Sequence, residues 1–439
     1  GKAEPGQIVA SAALLERTAT PFETTELEPF MVKGKRQPQR ASIVGDRLEG
    51  RGRTEQLRSP FVGRAGEVAV LDAALASATS GHGSCVDLVG PPGIGKSRLV
   101  DEVLQRSRAV ERIRITCEPF QTSLPYFVAR LVFRRLMRLE GHADRVEAGR
   151  RLDELVRHIS PDQLPWLPLL ADVVEADCEP TPEVDGLDPA HRGTATAEVA
   201  NTFLKALVPH PHVFVFEDAM WMDEASARLF ARVLADVDRQ PWFVCMTRRD
   251  GDDGLHQGLG FDATSVRLEP LSSDVAHQLV HEVTDDVGLL PQDVERLCAR
   301  AAGNPLYLVE LLRAVLDAGS LEDLPDSLED IIASRIDRLP RRDRRVLRIA
   351  AVLGDRFEAT LLDELGRQLD IDDAGATAAR LGEFLSVDRH DLVFEHDLLR
   401  QVAYESLPFA RRRGLHRGAA SLLATRPGRP DDDRLAMLA

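Results

Sequence analysis

Lysine is nearly absent from this chain of 439 residues: only Lys2, Lys33, Lys35, Lys96 and Lys205 contribute to its 55 basic side chains. Acidic residues number 71, for a formal charge of −16, which speaks against general affinity for nucleic acid or an anionic membrane surface. Cysteines are few and scattered, at 85, 117, 178, 245 and 298, without the spacing of a metal site. Three of them fall in apolar runs that read as strands, so buried free thiols in a reducing cytoplasm are expected. No apolar run approaches the roughly 18 residues that a bilayer span requires. The apolar stretch from Gln7 to Leu15 has neither a basic leader nor a cleavage pattern, which excludes a secretory signal. A repeat of 20–50 residues is also missing, and no Ser-His-Asp arrangement stands out. Apolar residues nevertheless make up 44% and charged residues 29% of the chain, enough for a sizeable core, and the length implies about three domains. The excess of arginine, with many alanines, suggests a GC-rich bacterial genome. Glycine rather than methionine at position 1 is what a piece of a longer chain would show.

Against this scarcity, the position of one lysine is informative. Gly90-Pro91-Pro92-Gly93-Ile94-Gly95-Lys96-Ser97 fits Gly-x-x-x-x-Gly-Lys-Ser/Thr, the phosphate-binding loop. Cys85-Val86-Asp87-Leu88-Val89 before it reads as a buried strand, and Ser97 to Leu104 after it reads as a helix. Glycines let the backbone curl so that successive N–H groups face a phosphate, and the helix amino end adds partial positive charge. Lys96 is expected to reach the β- and γ-phosphates, and Ser97 to place its hydroxyl on magnesium. The loop, extended through Arg98, therefore implies binding of a nucleoside triphosphate; ATP or its product ADP, with Mg2+, are the expected ligands.

Further apolar runs occur at Arg112–Cys117, His212–Phe216, Trp242–Thr247 and Ser265–Leu268, giving five candidate strands separated by helical sequence. That alternation predicts a five-stranded parallel sheet with helices on both faces, and ligands at the carboxyl ends of its strands. Glu217-Asp218 ends the third run, where an acidic pair can project toward a metal ion and the γ-phosphate. Thr247-Arg248-Arg249 ends the fourth, where the guanidinium of Arg248 can meet the γ-phosphate as a sensor or be an ordinary surface arginine. Asp223 and Ser226 are expected to cap the next helix. Asp274–Thr284, Gln292–Ala302 and Leu306–Ala318 read as helices of a small lid, opened by Gly303-Asn304-Pro305, which is equally an ordinary loop before a helix. Four helical stretches follow between Leu328 and Leu407. Leu385–Asp388 and Asp391–Phe394 flank Arg389-His390 as a short hairpin, and a last helix covers Arg411–Ala424. Arginines at 338, 341, 342, 344, 345 and 348 are diluted by Asp337, Asp343 and Asp355, so a solvated helix face is expected rather than a nucleic-acid patch.

Several segments carry a family resemblance. Phe61-Val62-Gly63-Arg64 and the helix after it, together with Glu217-Asp218-Ala219-Met220-Trp221-Met222-Asp223-Glu224-Ala225-Ser226, resemble the signal-transducing ATPases with numerous domains, a branch of the AAA+-like P-loop ATPases. The resemblance implies that Val62, Gly63 and Arg64 lie along the adenine and that Pro305 packs against it. It also implies that His396, in Phe394-Glu395-His396-Asp397, reaches the β-phosphate of ADP from a winged-helix domain. The usual first acid of the pair is Asp, and Glu217 departs from that pattern, which leaves open which of Glu217 and Asp218 organises the metal. Glu4-Pro5-Gly6-Gln7 with Phe22–Lys35 resembles the C-terminal end of class III nucleotidyl cyclases, where Lys33 or Lys35 would contact phosphate. The metal-binding aspartates and the Asn/Arg pair of that family are not present.

The expected organisation is a cyclase-like α+β remnant (1–45), a linker (46–60), an α/β P-loop ATPase domain (61–272), a helical lid (273–326), a winged helix (327–408) and the start of a helical repeat region (409–439). The expected function is a slowly hydrolysing, cytoplasmic, ATP-dependent switch within a bacterial signalling protein. It would work with other domains of its parent chain, with an unknown protein or small-molecule signal, and in a nucleotide-dependent oligomer. Alternatives are an oligomeric AAA+ remodelling motor, a DNA-binding regulator acting through the winged helix, and a cyclase for the parent protein alone. Neither a membrane nor nucleic acid is an expected partner.

Overall fold

A computed structural model describes residues 8–11, 22–26, 41–47, 60–107, 110–139, 144–251, 262–284, 289–318, 325, 327–388 and 391–425. The chain divides into two units, Gly1–Ser59 and Pro60–Ala439. In the first, β1 (Ile8–Ser11), β2 (Phe22–Glu26) and β3 (Ala41–Arg47) form an antiparallel sheet with β3 in the middle. Lys33, Lys35 and most of the expected linker lie outside the described residues, as does the end of the expected repeat region beyond residue 425.

The second unit opens with α1 (Ala65–Thr79), β4 (Ser84–Val89), α2 (Lys96–Arg106) and β5 (Glu111–Thr116). Five helices follow: α3 (Phe127–Leu136), α4 (Arg145–Ile159), α5 (Leu167–Val174), the single turn α6 (Pro182–Asp185) and α7 (Pro189–Leu207). Then come β6 (His212–Glu217), α8 (Glu224–Leu234), β7 (Trp242–Arg248) and β8 (Thr264–Arg267). The strands form one parallel sheet in the order β5-β6-β7-β4-β8, as the alternation of apolar runs predicts. Side chains alternate across a strand, and here the two sets meet different helices. Val86, Leu88, Val213, Val215, Phe243 and Cys245 pack with α1 and α2. Cys85, Phe214, Phe216, Trp242, Val244 and Met246 pack with α3, α5, α7 and α8. Both faces are covered, which is why these strands read as continuous apolar runs.

Asp223 fixes the junction of α3 and α8. Its carboxylate accepts from Ser226 N at 2.9 Å as the N-cap of α8, and also from Tyr126 N at 2.8 Å and Val128 N at 3.2 Å. Ser226 is not itself the cap; its hydroxyl accepts from Ala129 N at 2.9 Å.

Helices α9 (Ser273–Val283), α10 (Pro291–Ala301) and α11 (Pro305–Ala318) come next. They are followed by α12 (Leu328–Arg338), α13 (Arg341–Ala350), β9 (Arg356–Glu358), α14 (Ala359–Arg367) and α15 (Ala374–Ala379). The last elements are β10 (Leu385–Asp388), β11 (Asp391–Phe394), α16 (Asp397–Glu405) and α17 (Phe409–Thr425). The hairpin is present, with Leu385 opposite Phe394. Strand β9 joins it to make an antiparallel sheet in the order β10-β11-β9. Sequence reading anticipates four helices here and no third strand. A three-residue strand is too short to show a period, and α15 is a run of alanine, glycine and threonine without an apolar stripe.

Candidate functional site

The loop Gly90–Gly95 runs from the tip of β4 into α2. Gly93 and Gly95 have φ of 76° and 101°, in the left-handed region, where glycine avoids the penalty of a Cβ. Gly90 N donates to Arg248 O at 3.3 Å, which ties the loop to the end of β7. Ile94 is buried and anchors the loop in the core formed with α1 and α2. No side chain caps α2, so its first N–H groups keep the orientation that suits an anion. Lys96 Nζ donates to Gly90 O at 2.7 Å and Pro91 O at 3.2 Å, so its ammonium lies over the loop. Burial holds that ammonium below its ordinary pKa, against the pull of Asp218; Arg249 pushes in the same direction as burial. Ser97 and Arg98 are exposed.

Strand alternation sorts the charged residues at this end of the sheet. Thr116, Glu217 and Thr247 follow the parity of the face that carries α1 and α2, and so does Arg114, two residues before Thr116. The Glu217 carboxylate takes Arg114 Nη2 at 2.7 Å and accepts from the hydroxyls of Ser97 and Thr116. Burial pushes its pKa up; the Arg114 charge and these bonds outweigh that and hold it below the ordinary value. Asp218 turns out of the strand in the left-handed conformation, with φ 48°, and its N–H donates to Thr247 Oγ1 at 3.0 Å. Burial raises its pKa, while Arg249 and Lys96 pull it down.

The same alternation sends Arg248 to the opposite face. Its Nε donates to both carboxylate oxygens of Asp87, at 3.2 and 2.9 Å, and both side chains are almost fully buried. Arg248 is therefore engaged with Asp87, on the other side of the sheet from Glu217. Arg249, one residue on, is the arginine whose charge reaches Lys96 and Asp218. Sequence reading expects a sensor at Arg248 and does not foresee its pairing with Asp87, which follows because the strand runs through Arg248. The signal that could have corrected it was Asp87, an acid in the middle of an apolar strand that needs a buried partner.

The start of α11 meets the loop directly. Asn304 Nδ2 donates to Pro92 O at 2.9 Å while its Oδ1 accepts from Tyr307 N at 3.1 Å, and Leu306 N donates to Gly93 O at 3.2 Å. A Cβ on Gly93 would lie 2.9 Å from Asn304 Oδ1, so the approach requires glycine. Pro305 begins α11 at this contact. Val62 is buried, Gly63 (φ 66°) faces Val275 of α9, and Arg64, which precedes α1, pairs with Glu67 at 3.1 Å. The segment Val62–Arg64 thus abuts α9.

His396 precedes α16 and is open to solvent. Loss of hydration to the protein around it disfavours the charged imidazole and holds its pKa below the ordinary value, and its charged neighbours are Glu310, Arg313, Glu395 and Arg335. Of the two adjacent residues, Asp397 is the one whose charge acts on Asp218. Glu310, on α11, is completely buried and pairs with Arg313 at 2.9 Å and with Arg335, which also meets Glu383 at 2.9 Å. This network joins α11 to α12 and to Glu383, just before β10. Asp355, Glu118, Asp397 and Arg400 make a second polar cluster between the sheet tip and the C-terminal helices, with Arg400 3.0 Å from Asp397 and 3.9 Å from Glu118.

Among the described residues no group of three or more His, Cys, Asp or Glu side chains could hold a metal ion. Ser97, Glu217 and Asp218 suit magnesium instead, which is bound through one or two carboxylates together with nucleotide phosphates. Among the same residues no helix is long and apolar enough to cross a membrane.

Residues 60–246 match the AAA ATPase domain family, so the chain carries an AAA ATPase domain. Over 406 residues it is 24% identical to an uncharacterized protein of Rhizobium meliloti (strain 1021), covering 85% of this chain and 37% of that protein. The crystal structure of a signal transduction ATPase with numerous domains (STAND) protein with a tetratricopeptide repeat sensor, from Pyrococcus horikoshii, is similar in fold. It aligns at a TM-score of 0.50 with 16% identity, over 84% of this chain and 47% of that one. The chain thus spans less than half the length of either protein. The Aeropyrum pernix ORC1 protein in complex with DNA aligns more distantly, at a TM-score of 0.37 with 13% identity, over 81% of this chain and 95% of that one.

Proposed function

We propose that this chain is an ATP-dependent switch that hydrolyses slowly, with nucleotide and Mg2+ bound at the carboxyl end of β4. The observation that carries the reading is the lid's direct grip on the phosphate loop, through Asn304 to Pro92 and Leu306 to Gly93. A loop that moves on binding phosphate must move the start of α11, and with it the Glu310–Arg335 pair. The equilibrium between lid positions would then differ between ATP and ADP.

In this reading Lys96 and the N–H groups of the loop and α2 hold the β- and γ-phosphates, and Val62–Arg64 and Pro305 border the base. Bound magnesium would neutralise charge on the β- and γ-oxygens; the Ser97 hydroxyl would hold it, with Glu217 the organising acid that acts on the ion through Ser97. Asp218, near Lys96 and Arg249, would orient the attacking water. Arg249 takes the sensing role expected of Arg248. His396 would act at the seam of lid and C-terminal domain, for which a winged helix remains our proposed description. A cyclase-like parent protein rests on the Glu4–Lys35 segment alone; cyclic nucleotide made by this chain, with host cyclases excluded, would contradict its missing catalytic residues.

An AAA ATPase domain serves an oligomeric remodelling motor equally well. A motor predicts many turnovers per second and an ATP-dependent ring, both visible by steady-state kinetics and light scattering. Nucleotide binding itself is tested by Lys96→Ala, which removes charge-assisted bonds worth about 1.5–3 kcal/mol and should weaken Mg-ATP about ten- to a hundredfold in a titration. Unchanged affinity would sink the assignment.

A further inference from the structure

Arg114 lies in β5, and the parallel register sets Thr116 opposite Glu217, so Arg114 is two residues back on the same face. Its guanidinium forks: Nη1 donates to Asp101 and Nη2 to Glu217 at 2.7 Å. Asp101 is four residues beyond Ser97 on α2 and hence on the same side of that helix. One arginine therefore ties together the helix that bears Ser97, the strand that bears Glu217, and its own strand. Glu217 in turn accepts from the Ser97 hydroxyl. Reaching both Ser97 and a guanidinium on the neighbouring strand takes the length of a glutamate side chain.

We infer, resting on the nucleotide reading above, that Arg114 is a positioning residue. It holds the Glu217 carboxylate off the divalent cation, so that Glu217 aligns the Ser97 hydroxyl instead of ligating the ion directly. A carboxylate shared with a guanidinium attracts a cation less than a free one. Arg114 thus weakens cation binding while improving cation placement, and removing it should move affinity and turnover in opposite directions.

The test uses the full chain with Arg114→Gln and Arg114→Lys. ATP affinity in EDTA should stay within about twofold of wild type, since no cation is involved. Mn2+ binding to the ATP complex of Arg114→Gln, read by electron paramagnetic resonance, should tighten about fivefold while kcat for Mg-ATP falls about tenfold at a KM within about threefold. Arg114→Lys, which keeps the charge but not the fork, should recover part of both changes. Parallel loss of Mn2+ affinity and kcat in Arg114→Gln, tracking a lower melting temperature, would make Arg114 a structural residue and overturn the inference. So would Mn2+ affinity and kcat within twofold of wild type. Wild-type protein that binds no ATP would overturn the nucleotide reading, and this inference with it.

Discussion

The two faces of the central sheet place a cation in opposite settings. On one, Arg248 is closed against Asp87 in the middle of β4, both nearly out of contact with water. On the other, Arg114, Glu217, Thr247 and Asp218 are gathered beside Lys96, which donates to backbone carbonyls. The two arrangements are separated by a single step along β7, from Thr247 to Arg248. A charge fully matched within the fold has nothing left to offer a ligand. A charge whose partners are carbonyls can exchange them for phosphate oxygens. The first arrangement belongs to stability and the second to binding.

Breaking the matched pair should have the largest effect. Asp87→Ala leaves the Arg248 guanidinium buried without its carboxylate and should cost about 3–5 kcal/mol of stability, seen as a lower midpoint in urea. ATP affinity of the molecules that remain folded should change little, because the pair lies on the face away from Lys96. A large loss of affinity without loss of stability would mean that Asp87 and Arg248 belong to the site after all.

How far the sequence foretold this arrangement depends on the range of the signal. The phosphate loop is local: three glycines, a lysine and a serine in eight residues announce themselves, and both flanking elements are found where the pattern puts them. The five strands are legible because sheets covered on both faces leave continuous apolar runs. What eluded the sequence is what depends on pairing. Arg248 and Arg249 are adjacent and chemically identical, and only the register of β7 against β4 tells them apart. Arg114 and Asp101 sit in segments with no motif, and their role emerges only when β5 is set beside β6. The grip of Asn304 on Pro92 spans more than two hundred residues and leaves no local trace.

The next comparison sets Arg249→Met against Arg248→Met. The first should leave the urea midpoint nearly unchanged and reduce the preference for ATP over ADP by about tenfold, the value of a charge-assisted contact to a third phosphate. The second should destabilise the fold and leave that preference intact. Competition titrations with ATP and ADP distinguish them, and an ATP preference lost in Arg248→Met alone would restore the expectation drawn from the sequence.

The smallest effect should come from Asp355, at the seam between sheet tip and C-terminal helices. Burial, with Asp397, Glu118 and Glu217 nearby and only Arg400 opposing, raises its pKa to about 7, against roughly 3.9 in an unfolded chain. Between those values the folded protein holds a proton that the unfolded chain has released. Stability from this group is therefore full below about pH 4, is lost as pH rises, and levels off above about pH 7. The Asp355 side chain keeps partial contact with water, so solvent screening discounts this loss to on the order of 1 kcal/mol. Asp355→Asn stays neutral throughout. Its melting temperature should match wild type near pH 4.5 and exceed it by a few degrees at pH 8. The comparison with Asp87→Ala then becomes quantitative: a buried carboxylate with its own arginine loses stability when removed, and one crowded by other acids gains it. A difference between Asp355→Asn and wild type that stays constant from pH 4.5 to 8 would show that Asp355 is ionised in the folded protein across that range.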